Sequence, residues 1–146
     1  MRFAEFESVK RGDRSQYPIA VTTYSVTEHW QTGGQTRTCP ALNEAMPEQF
    51  VEMSVELAAE KGIANGDLVR VFNNRGSVKV HALVTPRFKP FTVNGQTVHQ
   101  VGMTHHFGWA GEFGTGDVVN DLPPNVGDPN TFVPEYKAFL VDIEKA

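Results

Sequence analysis

Residues Phe50 to Thr85 read FVEMSVELAAEKGIANGDLVRVFNNRGSVKVHALVT, and their patterning decides the fold class. Ser77 to Thr85 alternates, with Val78, Val80, Ala82 and Val84 on one face and Ser77, Lys79 and His81 on the other. Successive side chains of a strand point to opposite faces, so this is a strand with one buried side. His81 then reads as a surface residue. Leu68 to Phe72 is a second strand, and Asn73-Asn74-Arg75-Gly76 is the turn between them. Upstream, Phe50 to Met53 predicts a short strand that runs straight into a helix over Val55 to Lys61. Ser54 can accept a bond from an unpaired N–H of the first turn, Glu56 sits near the positive end of the helix dipole, and Lys61 near the negative end. Gly62 stands where the helix should stop, and Asn65-Gly66 is a tight-turn signal.

Outward from this block, Pro18 to Val26 is rich in β-branched residues and predicts a strand. Asn94-Gly95 marks another turn, Val98 to Met103 another strand, and Tyr136 to Ile143 a last one. Thr27 to Leu42 and Thr104 to Pro134 have no period and are rich in Gly, Asn, Asp, Pro and hydroxyl residues. Both predict long loops, too polar to pack against each other as a core, and long loops in compact domains commonly carry function. Residues 1–16 predict a charged arm or linker and residues 17–146 a single domain. Short strands, few helices and two long loops predict a mostly β fold with short helices, closed as a barrel.

The chain has 146 residues and a formal net charge of -4, which argues against a nucleic-acid surface. No apolar run is long enough to span a membrane, and Met1 to Ala20 lacks the apolar centre of a signal peptide. The single cysteine, Cys39, forms no internal disulfide or cysteine-ligated metal site, and is expected to be a packed or incidental thiol. The five histidines, His29, His81, His99, His105 and His106, lack zinc-site spacing, so no metal held by this chain alone is expected. There is no nucleophile elbow, Walker loop or dinucleotide glycine fingerprint. The chain therefore offers no self-contained active site. It offers instead two loops suited to a large polar ligand. Thr32, Gly33, Gly34, Gln35, Thr36, Arg37 and Thr38 combine close-approach backbone amides, hydroxyls and a guanidinium, the groups that hold phosphate. The second loop brings His105, His106, Trp109, Asn120, Asp121 and Asp128, and a carboxylate such as Asp128 can accept paired bonds from a guanine or pterin edge.

Several segments resemble one family in order and spacing. Thr22-Thr23-Tyr24-Ser25-Val26-Thr27-Glu28-His29-Trp30 is similar to the opening of the C-terminal domain of formate dehydrogenase large subunits. Pro47 to Glu52, Leu57 to Asp67, Asn74-Arg75-Gly76, Asn125 to Asp128 and Pro134 to Val141 follow the same domain, so the resemblance runs from about Tyr17 to Ala146. It points to the membrane-associated respiratory branch. It implies a double-psi β-barrel that binds molybdopterin guanine dinucleotide, two copies of which hold one molybdenum or tungsten atom. It also implies a larger catalytic chain that carries the selenocysteine or cysteine ligand and the iron–sulfur cluster, inside an exported, periplasmic complex or, alternatively, a cytoplasmic one. Cofactor contacts implied on the first loop are Thr27, His29, Trp30, Thr32, Gly33, Thr36 and Arg37. On the later segment they are His105, His106, Trp109, Asn120, Asp128, Tyr136 and Lys137.

Three functions remain open on the sequence. The first is a cofactor-positioning piece of a formate-oxidising enzyme, either a split subunit or an excised fragment, without catalysis of its own. The second is a stand-alone β-barrel binding module without redox activity. The third, a hydrolase or decarboxylase barrel, lacks a catalytic set.

Overall fold

The computed structural model describes residues 14–108, 117–125, 127, 128, 130–134 and 136–146. In chain order the elements are β1 (Ile19–Tyr24), α1 (Pro40–Ala45), β2 (Phe50–Ser54), α2 (Val55–Lys61), β3 (Leu68–Phe72), β4 (Ser77–Thr85), β5 (Phe91–Val93), β6 (Gln96–Val98), β7 (Gln100–Thr104) and β8 (Phe139–Lys145). Six strands close into a barrel in the order β1-β7-β2-β4-β3-β8, and β5 and β6 form a separate hairpin. This is the mostly β closed barrel that the patterning predicts.

The central block forms as its residues dictate. The Ser54 hydroxyl accepts from the Leu57 N–H at 3.1 Å, and Gly62 ends α2 at φ 65. Leu57 and Ala58 give α2 its buried face. Val78, Val80 and Ala82 of β4 point into the barrel beside Val69 and Val71 of β3. Val21, Val51, Met53, Val101, Met103, Phe139, Val141 and Ile143 complete that core. His81 is exposed on the outer face.

Elsewhere the boundaries move. The strand expected over Val98 to Met103 is β7, and Val98 belongs to β6. Beyond the Asn94-Gly95 turn the β5–β6 hairpin escapes pattern reading, because β5 is exposed throughout and has no buried face to alternate against. Helix α1 lies partly in the stretch read as loop, with Pro40 in its first turn. The last strand begins at Phe139 rather than Tyr136 and continues to Lys145. Cys39 is exposed, so it is not a packed thiol. The expected arm over 1–16 falls mostly outside the described residues.

Pairing fixes where the loops emerge. β1 runs parallel to β7 and β2 parallel to β4, while every other barrel pair is antiparallel. Parallel neighbours require crossover connections, and two such pairs accord with double-psi connectivity. β1, β3 and β7 thus run one way and β2, β4 and β8 the other. Both long connections, 25–49 and 105–138, and the β3–β4 turn therefore lie at one end. Helix α2 and the β5–β6 hairpin lie at the other.

On the outer face of β2, Glu52 is a buried carboxylate, 2% exposed. Its oxygens accept from Tyr24 Oη at 2.6 Å, Thr85 Oγ1 at 2.8 Å and Arg87 Nε at 2.8 Å, with Arg87 Nη2 also in contact. Gly102 of β7 makes room beside it, since a Cβ there would lie 2.4 Å from the Tyr24 ring and 2.6 Å from Phe88. Burial by itself would raise the Glu52 pKa, but the Arg87, Tyr24 and Thr85 hydrogen bonds outweigh it and hold the carboxyl below its ordinary value. The shielding comes from side chains rather than the barrel interior, and the Arg87 side chain is 66% exposed, so water can replace Arg87 but not Glu52. Glu52→Ala is expected to cost about 2–4 kcal/mol and Arg87→Ala less than half of that, by denaturant unfolding. A depressed folded pKa means this stabilisation is present above the ordinary carboxyl value and lost as pH falls below it. Glu52→Gln should flatten the acid-side loss of stability, and an unchanged profile would show that the carboxylate plays no such part.

Candidate functional site

The first loop folds on its own turns. The Trp30 carbonyl accepts from the Gly33 N–H at 2.8 Å, and the Gly33 carbonyl from the Arg37 N–H at 2.9 Å. Gly33 lies at φ +80, in the left-handed region open to glycine, and a Cβ there would sit 2.5 Å from the His106 carbonyl oxygen. His29 Nε2 donates to the Met46 carbonyl at 2.7 Å, which leaves Nδ1 facing the Thr36 hydroxyl at 3.1 Å. That hydroxyl also accepts from the Trp30 N–H at 3.0 Å.

The second loop closes over the first. His29, Gly33, Arg37, His106 and Phe107 are all buried, with the His29 and His106 ring centroids 5.8 Å apart and the Arg37 guanidinium 5.4 Å from the Phe107 ring. The expectation that the loops are too polar to pack together is therefore overturned. Bonds across the loop boundary, from the Val26 N–H to the His106 ring, from that ring to the Gln31 carbonyl and from Arg37 to the His106 carbonyl, satisfy part of this buried polar set. Arg37 is 4% exposed, and its Nη1 donates to the His106 carbonyl at 3.2 Å. Its Nε and Nη2 are buried and have no hydrogen-bond partner among the described residues. Those two nitrogens form one edge of the guanidinium, the edge that binds a phosphate or carboxylate through two parallel bonds.

The other expected residues spread around this cluster. His105 stacks on His106 with centroids 4.6 Å apart. Burial and then the charge of Lys137 lower its pKa, against an opposing backbone bond at Tyr24. Lys137 Nζ donates to the Thr23 carbonyl at 2.8 Å, and the Tyr136 carbonyl accepts from Thr23 Oγ1 at 3.2 Å, so both lie at the end of β1. Thr27, Trp30 and Thr32 of the first loop are exposed. Thr27 also edges a cleft of about 460 Å³ with Glu28, Phe50, Glu52, Leu83 and Arg87. Asn120 is exposed in the 3-10 turn Val119–Asp121, next to the β3–β4 turn. Asp128 spends one oxygen on its own turn, accepting from the N–H groups of Asn130 at 2.9 Å and Thr131 at 2.8 Å and from the Thr131 hydroxyl at 3.0 Å. Those bonds hold its carboxyl below the ordinary value. No hydrogen bond among the described residues ties Asn120 or Asp128 to the first loop. Trp109 lies outside the described residues. Among the described residues no group of three or more His, Cys, Asp or Glu is placed to hold a metal ion.

Two residues that sequence reasoning missed as site residues fasten the loops to the barrel. Gln49 Nε2 donates to the Thr104 carbonyl at 2.6 Å, while its Oε1 accepts from the Thr104 hydroxyl at 2.5 Å. Asn73 Nδ2 donates to the Leu122 carbonyl at 2.9 Å and the Leu140 carbonyl at 3.1 Å. The position of Asn73 at the head of the Asn-Asn-Arg-Gly turn was the available signal. Nothing in the local sequence marked Gln49.

Comparison with known proteins identifies relatives. Residues 19–140 match the family model described as Molydopterin dinucleotide binding domain. Formate dehydrogenase subunit alpha of Megalodesulfovibrio gigas is 52% identical over 131 residues, covering 90% of this chain and 13% of the relative. The nitrate-inducible formate dehydrogenase major subunit of Escherichia coli K12 is 49% identical over 146 residues, 100% of this chain and 14% of the relative. The chain thus spans only a small part of the relatives it matches. Among solved structures, acetylene hydratase from Pelobacter acetylenicus superposes with a TM-score of 0.69 at 14% identity, over 91% of this chain and 19% of that one, a likeness of fold.

The closeness of Gly33 to His106 gives a paired test. Gly33→Ala meets both a left-handed φ and a backbone oxygen, and is expected to lose about 2 kcal/mol or more in thermal or denaturant unfolding. Gly34 has open space around it, its nearest neighbour being the Thr32 hydroxyl at 4.0 Å, so Gly34→Ala should stay within about 0.5 kcal/mol. Equal costs for the two would contradict the close packing of the loops.

Proposed function

The chain belongs to the molybdopterin dinucleotide binding domain family, and from that premise we propose that its two-loop end holds a molybdopterin guanine dinucleotide within a formate dehydrogenase large subunit. The observation that carries this reading is the buried edge of Arg37, which has no partner among the described residues. Desolvating two guanidinium N–H groups without a partner is costly, and an anionic ligand group at that edge would remove the cost. The tight approach of Gly33 to the His106 carbonyl shapes the same cradle. The donor set therefore fits a phosphate-bearing ligand.

In this reading residues 17–146 are the binding unit. Arg37 takes a phosphate oxygen through its Nε and Nη2. The exposed Thr27, Trp30 and Thr32 line the outer side of the loop toward the ligand, while His29 and Thr36 keep the loop in shape. His105, Tyr136 and Lys137 add polar groups from the end of β1, and Asn120 and Asp128 meet a pterin or guanine edge. For Asp128 the oxygen not used by its own turn is the one available. When bound, the cofactor supplies a molybdenum or tungsten centre for the oxidation of formate to CO2. The metal ligand and the iron–sulfur cluster belong to another part of the enzyme, which is the partner of this domain. The chain contributes orientation and hydrogen bonds, not redox chemistry. The resemblance of its segments to the respiratory branch favours anaerobic respiration in an exported, periplasmic complex. No helix among the described residues is long and apolar enough to cross a membrane.

Arg37→Lys keeps the charge and loses the fork, and Asp128→Asn removes the acceptor charge. With about 1.5–3 kcal/mol for each charge-assisted bond, each variant should weaken cofactor retention about ten- to a hundredfold in the assembled enzyme, read as guanine nucleotide per metal. Full occupancy with unchanged melting in both would refute the site. Loss of stability at normal occupancy in Asp128→Asn alone would reduce Asp128 to a turn cap. The chain by itself, supplied with cofactor, should show no formate-dependent dye reduction, and turnover there would place chemistry in this domain after all.

A further inference from the structure

The first loop has little regular structure between Val26 and Thr38, so side chains must satisfy its backbone. The His106 ring meets two of those groups from opposite sides. Its Nε2 accepts from the Val26 N–H at 3.0 Å, and its Nδ1 donates to the Gln31 carbonyl. A carbonyl can only accept and an amide N–H only donate, so the contacts assign the tautomer, protonated at Nδ1 with a lone pair at Nε2. Both ring nitrogens are then committed, and the ring is fully buried, leaving no polar ring atom for a ligand. The residue's main-chain carbonyl holds Arg37 Nη1 at 3.2 Å.

We propose that His106 is the positioning residue of the ligand loop, its neutral imidazole holding Val26 and Gln31 in register so that the free edge of Arg37 faces an anionic group of the ligand, and that a proton on this ring releases the loop. The proposal rests on the dinucleotide reading for the identity of the ligand but not for the switch. A proton at Nε2 turns the acceptor into a donor aimed at another donor, the Val26 N–H. The groups that face the new charge are unhelpful. The first loop brings His29 against the ring and the Arg37 guanidinium onto the residue's own carbonyl, and the exit of β7 brings His105, on which the charge of Lys137 from the approach to β8 already acts. Among the described residues neither nitrogen of the ring meets a carboxylate. Burial first, and then His105 and His29, hold the His106 pKa below its ordinary value of 6.5, with the Gln31 bond opposing. A histidine lowered in the folded state contributes stability that is full above its unfolded pKa and is lost as pH falls toward the folded one. The loop should therefore be held at neutral pH and loosen below about 6.5.

Nitrogen NMR of the chain as it stands reads the tautomer directly, and amide hydrogen exchange over Val26 to Arg37 reads the loop. The expected result is a lone pair at Nε2 at pH 7.5, and a Val26 amide whose chemical shift titrates together with the His106 ring. Loop protection, corrected for intrinsic exchange, should drop at least tenfold relative to barrel amides between pH 7.5 and 5. His106→Asn keeps a donor near the Nδ1 position but does not titrate, and should exchange rapidly and equally at both pH values. His106→Gln, which restores an acceptor at greater reach, should recover part of the neutral-pH protection without the pH step. A proton on Nε2 at neutral pH, or wild-type protection that ignores pH, would overturn the proposal, and both are read on the wild-type chain even if a variant fails to fold. In the assembled enzyme, guanine nucleotide retention should fall over the same pH range. A loop that responds as described while Arg37→Lys leaves occupancy intact would uphold the switch and sink the cofactor reading instead.

Discussion

The parallel pairing of β1 with β7 is the constraint on which the rest depends. Tyr24 lies beside Thr104, so the two strands end together and release their following loops at the same edge of the barrel. An antiparallel pairing would send one loop to the opposite end. Because the exits adjoin, His106, two residues beyond β7, reaches the start of the first loop at Val26. Closure of the barrel through β8 then returns the second loop past Thr23, where Lys137 binds the carbonyl and Tyr136 receives the hydroxyl. Each loop has turns of its own, and groups that the strand register places opposite it fasten those turns to the barrel and to each other.

The cluster that results is polar and buried, an expensive combination unless its bonds are complete. His29, Thr36, His106, the backbone of Trp30 and the carbonyl of Gln31 complete theirs. Arg37 does not, for among the described residues only one of its three guanidinium nitrogens has a partner. A guanidinium does not lose its proton to escape burial, so its cost must be met by π contact with Phe107, by a ligand, or by both.

How much of this could be read from residues follows from the range of each signal. The block from Phe50 to Thr85 was legible almost to the residue, because its cues are local: alternation in β4, Ser54 as cap, Gly62 as stop. The β5–β6 hairpin was not, since exposed strands carry no alternation. The loops were legible as loops, and the structure brings His29, Gly33, Thr36, Arg37 and His106 together where they meet. Their contacts were not. That Arg37 is buried, that His106 spends both ring nitrogens on backbone, and that Asp128 caps its own turn all depend on long-range placement. Gln49 was invisible for the same reason. Its role exists only because β2 lies antiparallel to β7.

The interior itself changes character along the barrel axis. Most of it is Val, Met, Ile and Phe, yet at the loop end the buried positions become Thr23, Gln49, Asn73 and Thr104. Each of these bonds outward to a connection or to the strand that leads into one. Thr23 reaches Tyr136, Gln49 reaches Thr104, and Asn73 reaches Leu122 and Leu140. An apolar layer at this position would bury as much surface but could not satisfy a loop's backbone, and the loops would then be free to move as solvated chain. The polar layer converts the rigidity of the closed sheet into a fixed shape for segments that have almost no regular structure. At the opposite end no such layer is needed, because α2 satisfies its own backbone and closes with Ser54 and Gly62. The barrel therefore has one end that completes itself and one end built to hold an irregular surface still, as a cradle for a large polar ligand requires.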